Sequence, residues 1–260
     1  YKPQQIIKTP DGLGTKNDRP HISNVCNFTK PTVTKPSLLT FNEVTTLFHE
    51  FGHGLHGMLA NTTYKGLSGT NVSWDFVELP SQILENWCYE KETLELFATH
   101  YETGEVIPME LIEKIKASAT FHEGMQTLRQ LSFGMLDMAW HGSDPSAITS
   151  VKAFEEDAFG DTALYPDTLN TCMSTAFSHI FQGGYSAGYY SYKWAEVLDA
   201  DAFAYFKQEG IFNKKVASKF KEFILSKGGT QDPMELYIKF RGQEPNPDAL
   251  LQRAGLLQGI

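Results

Sequence analysis

The sequence predicts a mainly α-helical fold with a small β component, and three observations predict it. Beyond residue 40, apolar side chains recur at three- and four-residue spacing through most of the chain. Gly104, Pro108, Pro145, Gly210 and Pro233 punctuate those stretches into pieces of ordinary helix length. Runs rich in β-formers are short and confined to two places. No internal repeat or low-complexity linker interrupts the pattern, so residues 1–260 read as one unit.

Residues 1–39 contain Pro3, Pro10, Pro20, Pro31 and Pro36 and the turn pair Asp11-Gly12. Irregular structure around one short extended piece over 21–28 is expected there. Thr40 and Glu43 then fit a capping box, in which the threonine hydroxyl accepts a first-turn N–H and the glutamate reaches back to the cap. A helix over 41–59 follows. Residues 61–74, NTTYKGLSGTNVSW, read as a loop with a short strand. Helical periodicity resumes over 75–100, 109–140, 147–158, 186–208, 213–226 and 232–240.

The formal net charge of -9 argues against nucleic acid or an anionic membrane as partner, because both demand basic patches. No run of 18 apolar residues is present, so no membrane-spanning segment is expected. Cys26, Cys88 and Cys172 are far apart and form no C-x-x-C, which reads as reduced thiols and favours a cytoplasmic setting. The chain starts at YKPQQIIKTPDGLG with no methionine and no signal peptide, as a fragment would.

The chemistry concentrates in TLFHEFGHGLHG, residues 46–57. On a helix, His49 and His53 lie four apart on one face and can direct both imidazoles at one ion. Glu50 beside them can reach a metal-bound water without binding the metal, which is the mechanical content of H-E-x-x-H. His56 is one turn too far along and reads as a packed supporting histidine. The metzincin pattern requires glycine at 56 and histidine at 59, where this chain has His56 and Leu59, so that subclass is excluded. A catalytic zinc needs a third protein ligand. Asp75, Glu78, Gln82 and Glu85 form a polar stripe downstream, from which Glu78 or Glu85 could complete a His₂Glu site while the other orients a histidine. Gly52 and Gly54 cost a helix roughly 1 kcal/mol each relative to alanine. Close approach of neighbouring backbone around the metal is their expected use.

HEFGHGLHG, LSGTNVSWDFVELPSQILENW and FSHIFQGGYSAGYYSYKWAEVL occur in that order, and together they resemble the M3 family of zinc oligopeptidases from about Arg19 to the C-terminus. The resemblance implies a zincin-type (gluzincin) catalytic domain, the C-terminal half of a larger helical channel-type peptidase. It implies one Zn2+ per chain held by His49, His53 and Glu78, which resolves the choice between Glu78 and Glu85. It assigns Glu50 as general base and brings His179, Tyr185 and Tyr192 near the reacting carbonyl. Tyr185, Tyr189 and Tyr192 are spaced i, i+4, i+7 and would share one helical face, with Gly183-Gly184 permitting a hinge before them. Tyr189 and Tyr190 read as structural.

The implied substrates are short peptides, cut internally by an oligopeptidase, which ENWCYE, HYETGE and GYYSYKWAEVL resemble more, or shortened from the C-terminus by a peptidyl-dipeptidase, which RPHISNVCNFTKPT and SGTNVSWDFVELPSQ resemble more. The implied partner is the missing N-terminal half, the opposite wall of the channel, and the protein is expected to be a monomer. The competing reading is a zinc-binding fragment with little activity without that half.

Overall fold

The chain was described from a computed structural model covering residues 5–9, 12–16, 20–166, 168 and 170–257. Two strands come first, β1 (Gln5–Thr9) and β2 (Gly12–Lys16), paired antiparallel with Gln5 opposite Lys16 and Thr9 opposite Gly12. The expectation of irregular structure there is therefore corrected, since Ile6, Ile7, Thr9 and Thr15 are β-branched and suit a ladder. The turn residue Asp11 lies outside the described residues. Residues 21–28 pair with no strand; instead Ile22 and Asn24 run alongside the first long helix at Gly54.

That helix, α1 (Phe41–Met58), opens with the expected capping box, Thr40 and Glu43 each bonding the other's backbone N–H. Glu43 also accepts from the N–H and hydroxyl of Thr29, at 2.5 and 2.8 Å, which fastens the preceding segment to the helix start. The Thr40 N–H and then these Thr29 donors hold its carboxyl down at about 2.

Residues 61–74 form no strand. Their ordered turn is a 3-10 turn at Lys65–Leu67, and the carbonyls of Leu67 and Asn71 press on Gly228 and Gly229, so tightly that a Cβ on Gly228 would lie 2.0 Å from Leu67 O. The predicted helix over 75–100 is broken into α2 (Trp74–Val77), α3 (Leu79–Glu85), a 3-10 turn at Asn86–Tyr89 and α4 (Lys91–Phe97). Pro80 explains the first break, because it has no N–H to offer the carbonyl of Phe76 and its ring crowds that turn. The stretch over 109–140 also divides, into α5 (Met109–Ser118) and α6 (Glu123–Gly142), at a turn where His122 takes φ 57°. α7 (Val151–Phe159) is capped by Ser150.

The expected helix over 186–208 begins late. A four-residue α8 (Ser178–Phe181) is followed by turns, and α9 (Ser191–Glu209) starts only at Ser191. Beyond Gly210 come α10 (Lys214–Phe220) running into a π-turn at Lys221–Leu225, α11 (Pro233–Arg241) and α12 (Asp248–Arg253), the last not foreseen.

Two apolar clusters hold these elements. The larger joins Phe76, Leu79 and Ile83 to Leu198, Phe203 and Phe206 of α9 and to Phe220, Ile224, Tyr237 and Phe240. Burial of each such side chain contributes about 1.5–3 kcal/mol, so α9 anchors α2 and α3 from behind. Arg253 of α12 grips the buried Asp199 of α9, which also accepts from Asn86 at 2.8 Å. The smaller cluster packs Phe133 and Leu136 of α6 against Phe177 and Ile180, seating α8. Among the described residues no helix is long and apolar enough to cross a membrane.

Candidate metal centre

α1 and α3 meet backbone to backbone. A Cβ on Gly52 would lie 2.2 Å from the carbonyl of Pro80 and 2.5 Å from Ser81 Cα, so no other residue fits without moving a helix. Gly54 is less constrained, its nearest neighbour being the Asn24 side chain at 3.1 Å. The expected close approach therefore holds at Gly52 and not at Gly54.

This contact brings His49 and His53 of α1 to the break before α3, where Glu78 lies 5% exposed. The Nε2 atoms of His49 and His53 are 3.4 and 3.2 Å from Glu78 Oε2. Ligand atoms of the three residues all lie within 4.8 Å of one another. Among the described residues this is the group of His, Cys, Asp and Glu whose donors converge in this way. His56 does not join it. It is wholly buried, and among the described residues neither ring nitrogen has a hydrogen-bond partner. Burial, with the neighbouring His53 adding to it, pulls its pKa down to about 4, so it is neutral near pH 7.

The polar stripe foreseen on one helix is spread over the break, with Glu78 at the C-cap of α2 and Gln82 and Glu85 on α3. Glu85 Oε1 lies 2.7 Å from His49 Nδ1, fixing that ring from behind. Gln82 Nε2 donates to the Tyr192 carbonyl at 3.4 Å, and Asp75 accepts from the Tyr190 hydroxyl at 2.9 Å. Ser81, which the sequence reading passed over, donates to Glu78 Oε2 at 2.9 Å. A serine three residues after the glutamate is a weak signal, and nothing else marked it. His53 has no such support: its Nδ1 is buried without a partner among the described residues.

The electrostatics of the cluster favour a cation. Burial alone would lower the pKa of His49, but Glu78 and Glu85 outweigh it and push it up to about 10. Burial would raise Glu78, yet the two histidines and Ser81 hold it far below the usual carboxylate range.

The glycine-aromatic segment forms the facing part of the site. The shared helical face expected for Tyr185, Tyr189 and Tyr192 is corrected, because Tyr185 and Tyr189 precede α9 and lie in turns. Positive φ at Gly184 (87°) and Ala187 (53°) stops a helix from running through. The rings nevertheless gather. Tyr185 stacks on Tyr192 at 5.0 Å, and its hydroxyl reaches Glu78 Oε1 at 3.2 Å. Tyr189 packs on Phe177 at 5.0 Å in the smaller core.

Burial, partly offset by its contact with Tyr192, raises the Tyr185 phenol; burial and then Tyr185 raise Tyr192. Both are therefore neutral hydroxyls with a proton to donate. His179, on α8, is exposed, with its ring 6.3 Å from that of Tyr185. Glu50 is half-buried on α1 next to His49. Gly183 closes the turn over α8, where a Cβ would lie 2.9 Å from His179 Cα.

Residues 4–256 match the sequence profile described as Peptidase family M3. Oligopeptidase A of Escherichia coli is 48% identical over 233 residues, covering 89% of this chain and 34% of the relative. Oligopeptidase A of Salmonella typhimurium is 47% identical with the same coverage. Dipeptidyl carboxypeptidase of Salmonella typhimurium is 42% identical over 240 residues, 92% of this chain and 35% of the relative. The chain spans about a third of the length of these curated relatives.

Proposed function

The chain belongs to peptidase family M3, and from that premise we propose that it carries the catalytic centre of a zinc-dependent peptidase acting on short peptides. One observation carries the reading. Two ligands held at about 2.1 Å on a tetrahedral ion are about 3.4 Å apart, and the two histidine nitrogens lie 3.4 and 3.2 Å from the Glu78 oxygen. Two imidazoles and one carboxylate also match a catalytic zinc donor set that leaves a position open.

His49, His53 and Glu78 would hold the ion, with Glu85 fixing the His49 ring. When bound, zinc supplies Lewis acidity that polarises a carbonyl and lowers the pKa of water to about 7. Glu50 accepts the proton of the attacking water and returns it to the leaving amine. Tyr185 and Tyr192 donate hydrogen bonds to the carbonyl oxygen as it gains charge, and His179 lies at the edge of the same space. Glu78 keeps the Tyr185 hydroxyl oriented until substrate displaces it.

Metal analysis tests this directly. One zinc per chain is expected, falling to near zero in His53→Ala; a metal content unaffected by that change would overturn the ligand assignment. The higher identity to the relatives named oligopeptidase A favours internal cleavage over removal of C-terminal dipeptides. Mass spectrometry of a C-terminally amidated peptide separates these modes, because blocking the carboxylate stops only a dipeptidase. A second reading follows from the one-third coverage of the relatives: the chain binds zinc but turns over weakly without further sequence. Stoichiometric zinc with no turnover, restored by adding the remainder, would favour it. We also propose a monomer acting in the cytoplasm, which sedimentation and fractionation would check.

A further inference from the structure

We propose that Asp137 is a positioning residue for this reaction, its buried carboxylate holding the turn that presents Tyr185 to the metal-ligand cluster. The inference rests on the peptidase reading of the site. Asp137 lies on α6 and is 1% exposed. Its Oδ1 accepts the N–H of Ala187 at 2.9 Å and its Oδ2 that of Tyr189 at 2.8 Å. His141, one turn further along α6, brings Nδ1 to 2.8 Å from Oδ1. Both carboxylate oxygens are thus used, and most of their donors come from one distant turn.

That turn needs holding. Ala187 stands at φ 53°, which residues with a Cβ disfavour, and Gly184 stands at 87°. Tyr185 lies between them, with its hydroxyl on Glu78 and its ring on Tyr192. The local support upstream is a helix of four residues of which Ile180 alone is buried, and Gln182 and Gly183 after it are exposed. Two hydrogen bonds to an ionised group are about twice as strong as neutral ones, and they act on the two amides that shape the turn. An asparagine could accept from one amide but would turn its own N–H₂ on the other. The sequence pattern hid this role, because Asp137 sits some 50 positions before the amides it binds.

The test compares Asp137→Asn, Tyr185→Phe and the double variant in the zinc-loaded full chain. Asp137→Asn should lower kcat by about tenfold to a hundredfold, less than the full loss of an oxyanion donor, with KM and zinc content unchanged. In the Tyr185→Phe background the same change should cost less than about threefold, because coupled residues are not additive. Amide exchange at Ala187 and Tyr189 should quicken while α9 stays protected, a readout that needs no turnover.

Ala187→Gly added to Asp137→Asn should restore part of kcat by removing the backbone strain. Unaltered exchange at those amides, unaltered kcat, or equal costs in both backgrounds would each overturn the inference. If Asp137→Asn does not fold, Asp137→Glu, which keeps the charge and displaces the carboxylate, carries the same comparison. Should Tyr185→Phe retain full kcat, the peptidase role of Tyr185 fails too; loss there with none in Asp137→Asn sinks the positioning role alone.

Discussion

The two sides of the site are built differently. On the ligand side, two helices touch through their backbones at Gly52 and Pro80, and Glu78 lies buried between the histidines. On the tyrosine side, a four-residue helix leads into turns with two residues at positive φ, and His179, Gly183, Gly184 and Ser186 are exposed. Metal bonds tolerate about 0.2 Å of error, so the ligand side needs a fixed frame. On the proposed reading a peptide enters and leaves past the tyrosines, and a segment with few buried contacts opens at lower cost. If the proposed roles hold, the difference separates binding the metal from acting on the substrate, and each side can be perturbed alone.

The largest separation is expected from Glu50→Gln. Turnover should fall by about 10²–10⁴ while metal analysis still finds one zinc per chain; normal turnover would remove Glu50 from the mechanism. Tyr192→Phe should come next, lowering kcat by about 10²–10³ with zinc retained. Zinc loss in that variant would show that the two sides are not independent.

On the ligand side, Glu85→Gln should weaken zinc about 10–100-fold by freeing the His49 ring, measured by competition with a chelator. An unchanged affinity would make the 2.7 Å contact incidental. Gly52→Ala should cost about 1–3 kcal/mol of stability, as overpacking does, visible as a lower Tm; an unshifted Tm would deny the backbone contact its role.

The smallest effect is nil at neutral pH and grows on acidification. The His56 pKa is depressed from 6.5 to about 4, so the unfolded chain binds the proton first, and stability falls as pH drops from about 6.5 towards 4. The Tm of the wild type should fall faster than that of His56→Leu over that range, and parallel curves would refute it.

The ligand side was the more legible in sequence because its signals are local. Thr40 and Glu43 announce the helix start three residues apart, and His49 and His53 show their common face through one turn. The tyrosine side misled because i, i+4, i+7 spacing implies a shared face only inside a helix, and Ala187 departs from helical φ without a residue type that advertises it. The stripe from Asp75 to Glu85 was seen, but the break at Pro80 decides where each side chain points. Fold class emerged from periodicity, whereas the hairpin was masked by flanking prolines and α12 is too short to show a period. Ser81 and Asp137 act across space or through a single hydroxyl, which leaves no pattern to read.

Glu43 gives the ligand helix an order of failure in acid. It stays ionised to about pH 2, so the knot joining Thr29, Thr40 and the helix start persists as the medium acidifies. His56, two turns beyond the first histidine, takes up its proton in the buried interior much earlier. Acid should therefore undo this helix from its C-terminal end, releasing the histidines while the entry to the helix is still tied down.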